Sequence, residues 1–187
     1  MTKLAIFASG RGSNTKKIIE YFKDKAAFSV DLIVSNKKDA LVLEEAREQQ
    51  IATLVLDRFD FYATHNLLQQ LKNFQIDCIA LAGFLWLIPE YLIQAYPNKI
   101  INIHPALLPK FGGKGMYGRK VHQAVVAAKE IRSGITIHYV NAKYDEGNIL
   151  FQASCPIAIE EQAEEVARKV QLLEHQYFSP VIEAVFS

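Results

Sequence analysis

The stretch KLAIFASGRGSNTKKIIEYFKD, residues 3–24, decides the fold class. It opens with a near-continuous apolar run of strand length, residues 3–9. It closes with a segment, residues 15–24, whose apolar positions Ile18, Ile19 and Phe22 recur with helical spacing. A turn containing two glycines joins the two parts. A buried strand that leads directly into a helix is the repeating unit of parallel α/β sheets.

The same unit repeats through the first half of the chain. Further apolar runs predict strands at residues 29–36, 52–57, 77–84 and 99–105. Helical periodicity predicts the segments between them as helices, at residues 40–50, 62–74 and 89–96. We therefore predict a Rossmann-like α/β fold, in which a mostly parallel, twisted sheet carries helices on both faces.

The pattern changes after residue 105. A Gly-rich segment, residues 110–120, precedes a short helix predicted at residues 121–129. Two runs of alternating residues with a polar turn between them predict an antiparallel C-terminal addition to the sheet. These strands and the final helix are expected at residues 133–140, 149–157 and 160–178. No repeat or low-complexity linker interrupts the chain, so we expect one domain over 1–187, with an N-terminal half 1–100 and a C-terminal half 101–187.

Composition excludes several classes of function. The 187 residues include 21 Lys and Arg against 20 Asp and Glu, and no basic run exceeds two residues, which argues against a nucleic-acid partner. The apolar run at the N-terminus is too short for a signal peptide or a membrane span. Cys78 and Cys155 lack metal-ligand spacing and are predicted as buried thiols of a reducing compartment. We expect a cytoplasmic protein, monomer or homodimer, with no metal and no membrane or nucleic-acid partner.

The turn after the first strand, GRGSN at residues 10–14, is a candidate phosphate site. It resembles a dinucleotide fingerprint, but Thr15 occupies the third glycine position, and Ser35 and Asn36 stand where an acid would bind the ribose. A generic phosphate cradle at a helix N-terminus remains possible. A tight turn with Ser13 or Asn14 as the helix N-cap explains the same residues equally well.

Asn102 and His104 interrupt the apolar stretch KIINIHPALLPK, residues 99–110. Residues two apart on a strand point to the same face, so both side chains aim together at the carboxyl end of a parallel strand, where α/β sheets bind ligands. An amide that can donate to an oxyanion and an imidazole that can move a proton suit chemistry at a carbonyl. No serine or cysteine motif accompanies them, which favours direct transfer between two bound substrates.

Two acidic positions could complete such a site. A carboxylate would orient and support the imidazole, and Asp145 is the candidate in the polar turn NAKYDEGN, with Glu146 an equal competitor. Glu174 follows Val170 by four residues and therefore lies on the apolar stripe of the last helix, where an unpaired acid is costly. Either a binding role or an internal salt bridge explains that position.

Five motifs, in order and spacing, resemble the phosphoribosylglycinamide formyltransferases of purine synthesis. They are FASGRGSN (7–14), LAGF (81–84), INIHPALLPKF (101–111), SGITIHYV (133–140) and DEGNIL (145–150). The resemblance runs from residue 3 to about residue 183. The N-x-H-P-[AS]-L-L-P pattern is specific to the folate-dependent formyltransferases and hydrolases, and the G-x-G-S-N loop with the short length points to the glycinamide member.

The resemblance implies transfer of the formyl group of 10-formyltetrahydrofolate, as co-substrate, to the amine of phosphoribosylglycinamide, without a metal. It implies that the amine attacks the formyl carbon directly and that a catalytic trio of Asn102, His104 and Asp145 stabilises the tetrahedral intermediate, with Asp145 raising the pKa of a protonated His104. The implied phosphate and ribonucleotide ligands are Gly12, Ser13, Asn14, Gln171 and Glu174. The implied folate-binding residues are Leu85, Trp86, Leu87, Ile88, Asn102, Asn141, Ala142, Lys143, Tyr144 and Asp145.

Some positions depart from the family pattern. Trp86 stands where the family often has arginine, and the Gly-rich segment is longer than its common form. His122 could contribute to the contacts of this segment, but a position on a helix surface is expected. His138 is expected to be a structural residue or to support a neighbouring one.

Related activities are less consistent with the sequence. A methionyl-tRNA formyltransferase would carry a further C-terminal domain and a basic surface, and a formyltetrahydrofolate hydrolase would carry an N-terminal regulatory domain; neither is expected here. A formyltransferase acting on a nucleotide-linked sugar amine would share the Asn/His/Asp chemistry, and the G-x-G-S-N loop argues against it. A non-catalytic binding module would not require all three of those residues.

Overall fold

Seven strands and seven helices make up the computed structural model, which describes residues 1–187. The strands are β1 (Thr2–Phe7), β2 (Phe28–Ser35), β3 (Ala52–Val55), β4 (Cys78–Leu81), β5 (Ile100–His104), β6 (Arg132–Tyr139) and β7 (Ile149–Pro156). The helices are α1 (Ser13–Phe22), α2 (Leu41–Glu48), α3 (Arg58–Ala63), α4 (Asn66–Asn73), α5 (Glu90–Ala95), α6 (Arg119–Ala127) and α7 (Ala163–Phe186).

All seven strands join one sheet in the order β3-β2-β1-β4-β5-β6-β7. Neighbours from β3 to β5 pair in parallel, whereas β6 pairs antiparallel with both β5 and β7. The predicted fold class, including the antiparallel C-terminal addition, is confirmed. Strand order reverses between β1 and β4, and such a switch point leaves a crevice at the carboxyl ends of the strands.

Side chains of successive strand residues enter cores on opposite faces of the sheet. In β1, Leu4 and Ile6 pack into the core beneath α1, α2 and α7, while Ala5 and Phe7 pack into the core beneath α4 and α5. All four side chains are fully buried. Burial on both faces explains why the parallel strands appear in the sequence as continuous apolar runs.

The helix predicted at residues 62–74 is two helices. The Asp57 side chain accepts hydrogen bonds from the backbone N–H groups of Phe59 and Asp60, which starts α3 earlier than predicted. Thr64 then adopts an extended conformation, and its hydroxyl donates to the Asp60 carbonyl. This break separates α3 from α4, which begins at Asn66.

The last helix is longer than the predicted 160–178. A capping box between Gln162 and Glu165 sets its start at residue 163. Its end lies beyond Pro180, although an internal proline costs a helix about 3 kcal/mol. Phe178, Ile182 and Phe186 are buried in the core beneath α7. Their burial, worth about 2 kcal/mol each, outweighs the cost of the proline.

Two smaller findings complete the fold. None of the helices is both long and apolar enough to cross a membrane. Both cysteines are free thiols. Cys78 is buried as predicted, but the same prediction was wrong for Cys155, which is only partly buried because it lies on the edge strand β7.

Candidate active site

A cleft of about 1110 Å³ opens at the carboxyl ends of β1, β4 and β5. Its walls are the loop between β1 and α1, the end of β5, the Gly-rich segment and one side of α7. The sheet topology alone predicts a ligand site at this place. The cleft brings together residues that lie as far apart in the sequence as Ser9 and Glu174.

Asn102 and His104 project from β5 into this cleft, and Asp145 reaches both of them from the turn between β6 and β7. Its Oδ2 lies 3.5 Å from His104 Nδ1, and its Oδ1 lies 3.4 Å from Asn102 Nδ2. Asp145 holds a left-handed backbone conformation, with φ at 57°. The Gly113 N–H donates to its Oδ2 at 2.9 Å, so the Gly-rich segment helps to fix the carboxylate.

The competing acid of the same turn points elsewhere. Glu146 is largely exposed and pairs with Lys143 at 3.1 Å. Of the two carboxylates that sequence reasoning left open, the structure therefore brings only Asp145 to His104.

His138 is a fourth member of this cluster. It lies opposite Asn102 in the β5–β6 ladder, and its side chain is buried. Its Nδ1 is 2.8 Å from the Tyr139 carbonyl, which can only accept, so Nδ1 carries the hydrogen and Nε2 accepts from Asn102 Nδ2 at 3.1 Å. Both amide hydrogens of Asn102 are thus engaged, one by His138 and one by Asp145.

The imidazole of His104 is buried and makes one short hydrogen bond. Its Nε2 lies 2.8 Å from the Phe111 carbonyl, so Nε2 donates and carries a hydrogen. Burial lowers the pKa of His104, against the opposing effects of the Asp145 carboxylate and the Phe111 carbonyl. This direction favours the neutral imidazole over the protonated one that the resemblance implies, and leaves Nδ1 able to take up a proton beside Asp145.

Asp145 is the fixed negative charge of the cluster. Burial alone would raise the pKa of its carboxyl. The neighbouring imidazoles of His138 and His104, together with the Gly113 N–H that donates to Oδ2, outweigh that effect and hold the pKa of Asp145 below its usual range. A carboxylate between two imidazoles stabilises whichever of them becomes protonated.

The β1–α1 loop forms the other end of the cleft. Gly12 is the N-cap of α1, with φ at 79°, and no side chain caps the helix. A Cβ at Gly12 would lie 2.7 Å from Val42 Cγ2, so the position requires glycine. Because neither Ser13 nor Asn14 serves as the N-cap, the first N–H groups of α1 are unoccupied by side chains and can face an anion. This geometry favours the phosphate cradle over the simple turn.

α7 completes the cradle from the opposite wall. Gln171 Nε2 donates to Ser13 Oγ at 3.2 Å, and Asn14 Nδ2 donates to Glu174 Oε2 at 3.0 Å. Desolvation raises the pKa of Glu174, against the opposing effect of the Asn14 hydrogen bond. Glu174 has no cation within ion-pair distance, so an internal salt bridge does not explain its position.

The residues that the resemblance assigns to folate are divided between two pockets. Most of them line a narrow pocket of about 50 Å³ that reaches Asn102, namely Trp86, Leu87, Ile88, Lys143, Tyr144 and Asp145. Leu85 lines the large cleft instead, and Asn141 and Ala142 line neither. Trp86 packs against Phe61 at a ring-centroid distance of 5.4 Å, and the Arg58 guanidinium lies 5.7 Å from its ring.

The prediction that His122 lies on a helix surface was wrong. Its side chain is buried and lines the cleft, on the side of α6 that faces His104. Burial lowers the pKa of His122, and the nearby His104 lowers it further. Its Nδ1 has no hydrogen-bond partner. No group of three or more His, Cys, Asp or Glu side chains in the chain is arranged to hold a metal ion.

Comparison with known proteins gives consistent similarities. Residues 2–182 match the protein family described as formyl transferase. The chain is 44% identical to the chloroplastic phosphoribosylglycinamide formyltransferase of Arabidopsis thaliana, a match over 98% of this chain and 65% of that protein. It is 42% identical to the chloroplastic protein of Vigna unguiculata (98% and 60% covered) and 36% identical to the phosphoribosylglycinamide formyltransferase of Bacillus subtilis (98% and 94% covered).

The fold is also that of solved structures. The crystal structure of phosphoribosylglycinamide formyltransferase from Bacillus halodurans superposes with a TM-score of 0.89 at 33% identity, covering 100% of this chain and 96% of that one. A glycinamide ribonucleotide transformylase from Geobacillus kaustophilus gives the same TM-score and identity over the whole of both chains. The chain spans less than two thirds of the length of the two chloroplastic relatives.

Proposed function

The chain belongs to the formyl transferase family, and on that premise we propose that it is a phosphoribosylglycinamide formyltransferase of purine biosynthesis. The formyl donor is 10-formyltetrahydrofolate, and no metal takes part. One observation carries the proposal: Asn102, His104 and Asp145 meet in a cleft whose other end is the Gly12–Asn14 cradle. A formyl-transfer centre and a phosphate site within one cleft fit an amine acceptor that carries a phosphate.

The reaction is a direct transfer between two bound substrates. The acceptor amine attacks the formyl carbon, a new C–N bond forms, and the tetrahedral intermediate collapses when the bond between that carbon and N10 of the folate breaks. One proton must pass from the amine to N10. Neutral His104 is suited to accept this proton and return it to N10, and the anionic Asp145 stabilises the imidazolium formed between the two steps.

Asn102 has the role of oxyanion donor. Its amide hydrogens are engaged by His138 at 3.1 Å and by Asp145 at 3.4 Å. Stabilising the oxyanion requires that Asn102 exchange one of these bonds for the substrate oxygen, and the longer bond to Asp145 is the weaker one. Loss of one such donor costs about 10²- to 10³-fold in rate, which is the effect expected for Asn102→Ala.

The binding roles follow the two ends of the cleft. Gly12, Ser13 and Asn14 bind the phosphate with backbone N–H groups and side chains, and Gln171 and Glu174 contact the rest of the ribonucleotide. The folate lies against the narrow pocket, in contact with Leu85, Trp86, Leu87, Ile88 and the 141–145 segment. The expectations of a cytoplasmic location and of a monomer or homodimer stay predictions.

A folate absorbance assay tests the proposal. Purified protein is incubated with 10-formyltetrahydrofolate with and without phosphoribosylglycinamide, beside His104→Ala and the matched control His65→Ala, an exposed histidine outside the cleft. Deformylation should require the ribonucleotide, collapse in His104→Ala and persist in His65→Ala. Turnover without the ribonucleotide would identify a hydrolase, and no turnover in either case would refute the assigned acceptor.

A further inference from the structure

Most of the basic side chains that line the cleft form no ion pair with an acidic side chain of the cleft. Its basic lining residues are Arg11, Lys37, Lys114, Arg119 and Arg168. Its acidic lining residues are Asp145, Glu164 and Glu174. Only one pair joins the two sets, Arg119 with Glu164, because Asp145 faces histidines and Glu174 faces an amide. The chain as a whole has a net charge of only +1, so this excess is local to the cleft.

Arg168 lies on α7, the helix that is hydrogen-bonded directly to Ser13 and Asn14 of the cradle. It is one turn before Gln171, which contacts Ser13, and both residues line the cleft. On a helix, an arginine normally pairs with acids three or four positions earlier. Here the acid at four, Glu164, is paired with Arg119, and the acid at three, Glu165, caps the N-terminus of α7. The Arg168 guanidinium is therefore left without a carboxylate.

The three cradle residues themselves carry no positive charge, although Arg11 of the same turn also lines the cleft. Gly12, Ser13 and Asn14 offer only neutral donors, whereas a phosphate monoester carries about −1.5 to −2 charges at neutral pH. A planar guanidinium can hold two phosphate oxygens at once, which an ammonium cannot. Arg168 reaches the cleft from α7, so it can approach the phosphate from the side that the cradle does not cover.

We infer that Arg168 is a specificity-determining residue that binds the phosphate of the acceptor from α7 and makes the site selective for phosphorylated over unphosphorylated acceptors. This inference rests on the proposed function for the identity of the acceptor, but the binding of a phosphate to this site can be measured without any catalysis. Because Arg168 is solvent-exposed, its attraction for the phosphate decreases as salt is added.

Titration calorimetry with ribose 5-phosphate tests this inference directly. Arg168→Gln should weaken binding about ten-fold at low salt, since a hydrogen bond to a charged group contributes roughly that factor. Arg47→Gln, the same change on an exposed arginine of α2 outside the cleft, should leave binding unchanged. Arg168→Lys should restore part of the affinity, and the difference between wild type and Arg168→Gln should shrink at high salt.

The outcomes separate this inference from the proposed function. Equal ribose 5-phosphate affinity in wild type and Arg168→Gln, or no binding to wild type, would overturn it. An Arg168→Gln variant that raised the KM of the folate and left ribose 5-phosphate binding intact would also overturn it, by showing that the folate is the anion bound. If formyl transfer failed in every protein but phosphate binding still depended on Arg168, the inference would stand and the proposed function would fall.

Discussion

Replacing Gly12 with alanine should cost stability and phosphate binding together. The backbone at Gly12 has φ at 79°, and a non-glycine residue there loses about 1 kcal/mol. The added Cβ would also lie 2.7 Å from Val42 Cγ2 and 3.1 Å from the Val42 backbone, and overpacking of this kind costs about 1 to 3 kcal/mol. We expect a total of roughly 3 kcal/mol, which for a domain of this size lowers Tm by roughly 6 to 12 °C.

Urea denaturation measures the loss, and two further variants identify its cause. Gly10→Ala is the matched control, because its Cβ meets no atom within 4 Å, and we expect a change within about 0.5 kcal/mol. Val42→Ala removes the methyl group at 2.7 Å but keeps the Val42 Cβ at 2.8 Å, so it relieves the clash only in part. The double variant should therefore lose somewhat less stability than the sum of the two single variants. A Gly12→Ala loss below about 1 kcal/mol would refute the steric reasoning.

Three further predictions concern the charged groups of the cleft. Asp145→Asn keeps the left-handed backbone that asparagine tolerates and should lower kcat/KM by about 10²- to 10⁴-fold, measured by steady-state kinetics. Because the lowered pKa of Asp145 means that its charged form stabilises the folded state, the urea midpoint should also fall. Glu174→Gln should raise the free energy of unfolding by about 1 kcal/mol near pH 7, because the raised pKa of Glu174 means that its charged form destabilises the folded state. This gain should shrink toward about pH 5, where the carboxyl group becomes protonated. An equal gain at both pH values would contradict the prediction. Burial lowers the pKa of His104, His122 and His175 below the ordinary 6.5, so the unfolded chain binds protons that the folded chain does not. The free energy of unfolding should therefore fall as pH drops below about 6.5, and a flat profile in denaturation experiments would exclude it.

The sequence contains enough information for the sheet but not for every helix boundary. Parallel strands buried on both faces leave apolar runs that can be read directly, as in β1 and β5. The start of α3 depends on the capping side chain of Asp57, and the break before α4 depends on the extended backbone of Thr64. Neither feature can be detected from the periodicity of apolar residues. The extension of α7 beyond Pro180 depends on burial against the sheet, which is tertiary information.

The same distinction applies to the site. Alternation along one strand predicts that Asn102 and His104 point together, since this is a local property of β5. The contact of His138 with Asn102 depends on the register between β5 and β6, and no single-strand pattern contains it. The burial of His122 depends on the elements that surround α6, with His104 of β5 among its neighbours. Sequence reasoning therefore finds residues that share an element and misses those brought in by a neighbouring one.

The contacts between α1 and α7 have a consequence for the order in which the protein is assembled. Ser13 and Gln171 are 158 residues apart, and Asn14 and Glu174 are 160 residues apart. During synthesis, the β1–α1 loop is made early, whereas α7, the helix that it contacts, is made only when nearly the whole chain has been synthesised. Closing so long a loop is entropically costly, and contacts of this kind form late in folding. Acquisition of ribose 5-phosphate binding should thus mark the final step of folding, and a nascent chain shorter than about 174 residues should be unable to gain stability from this ligand.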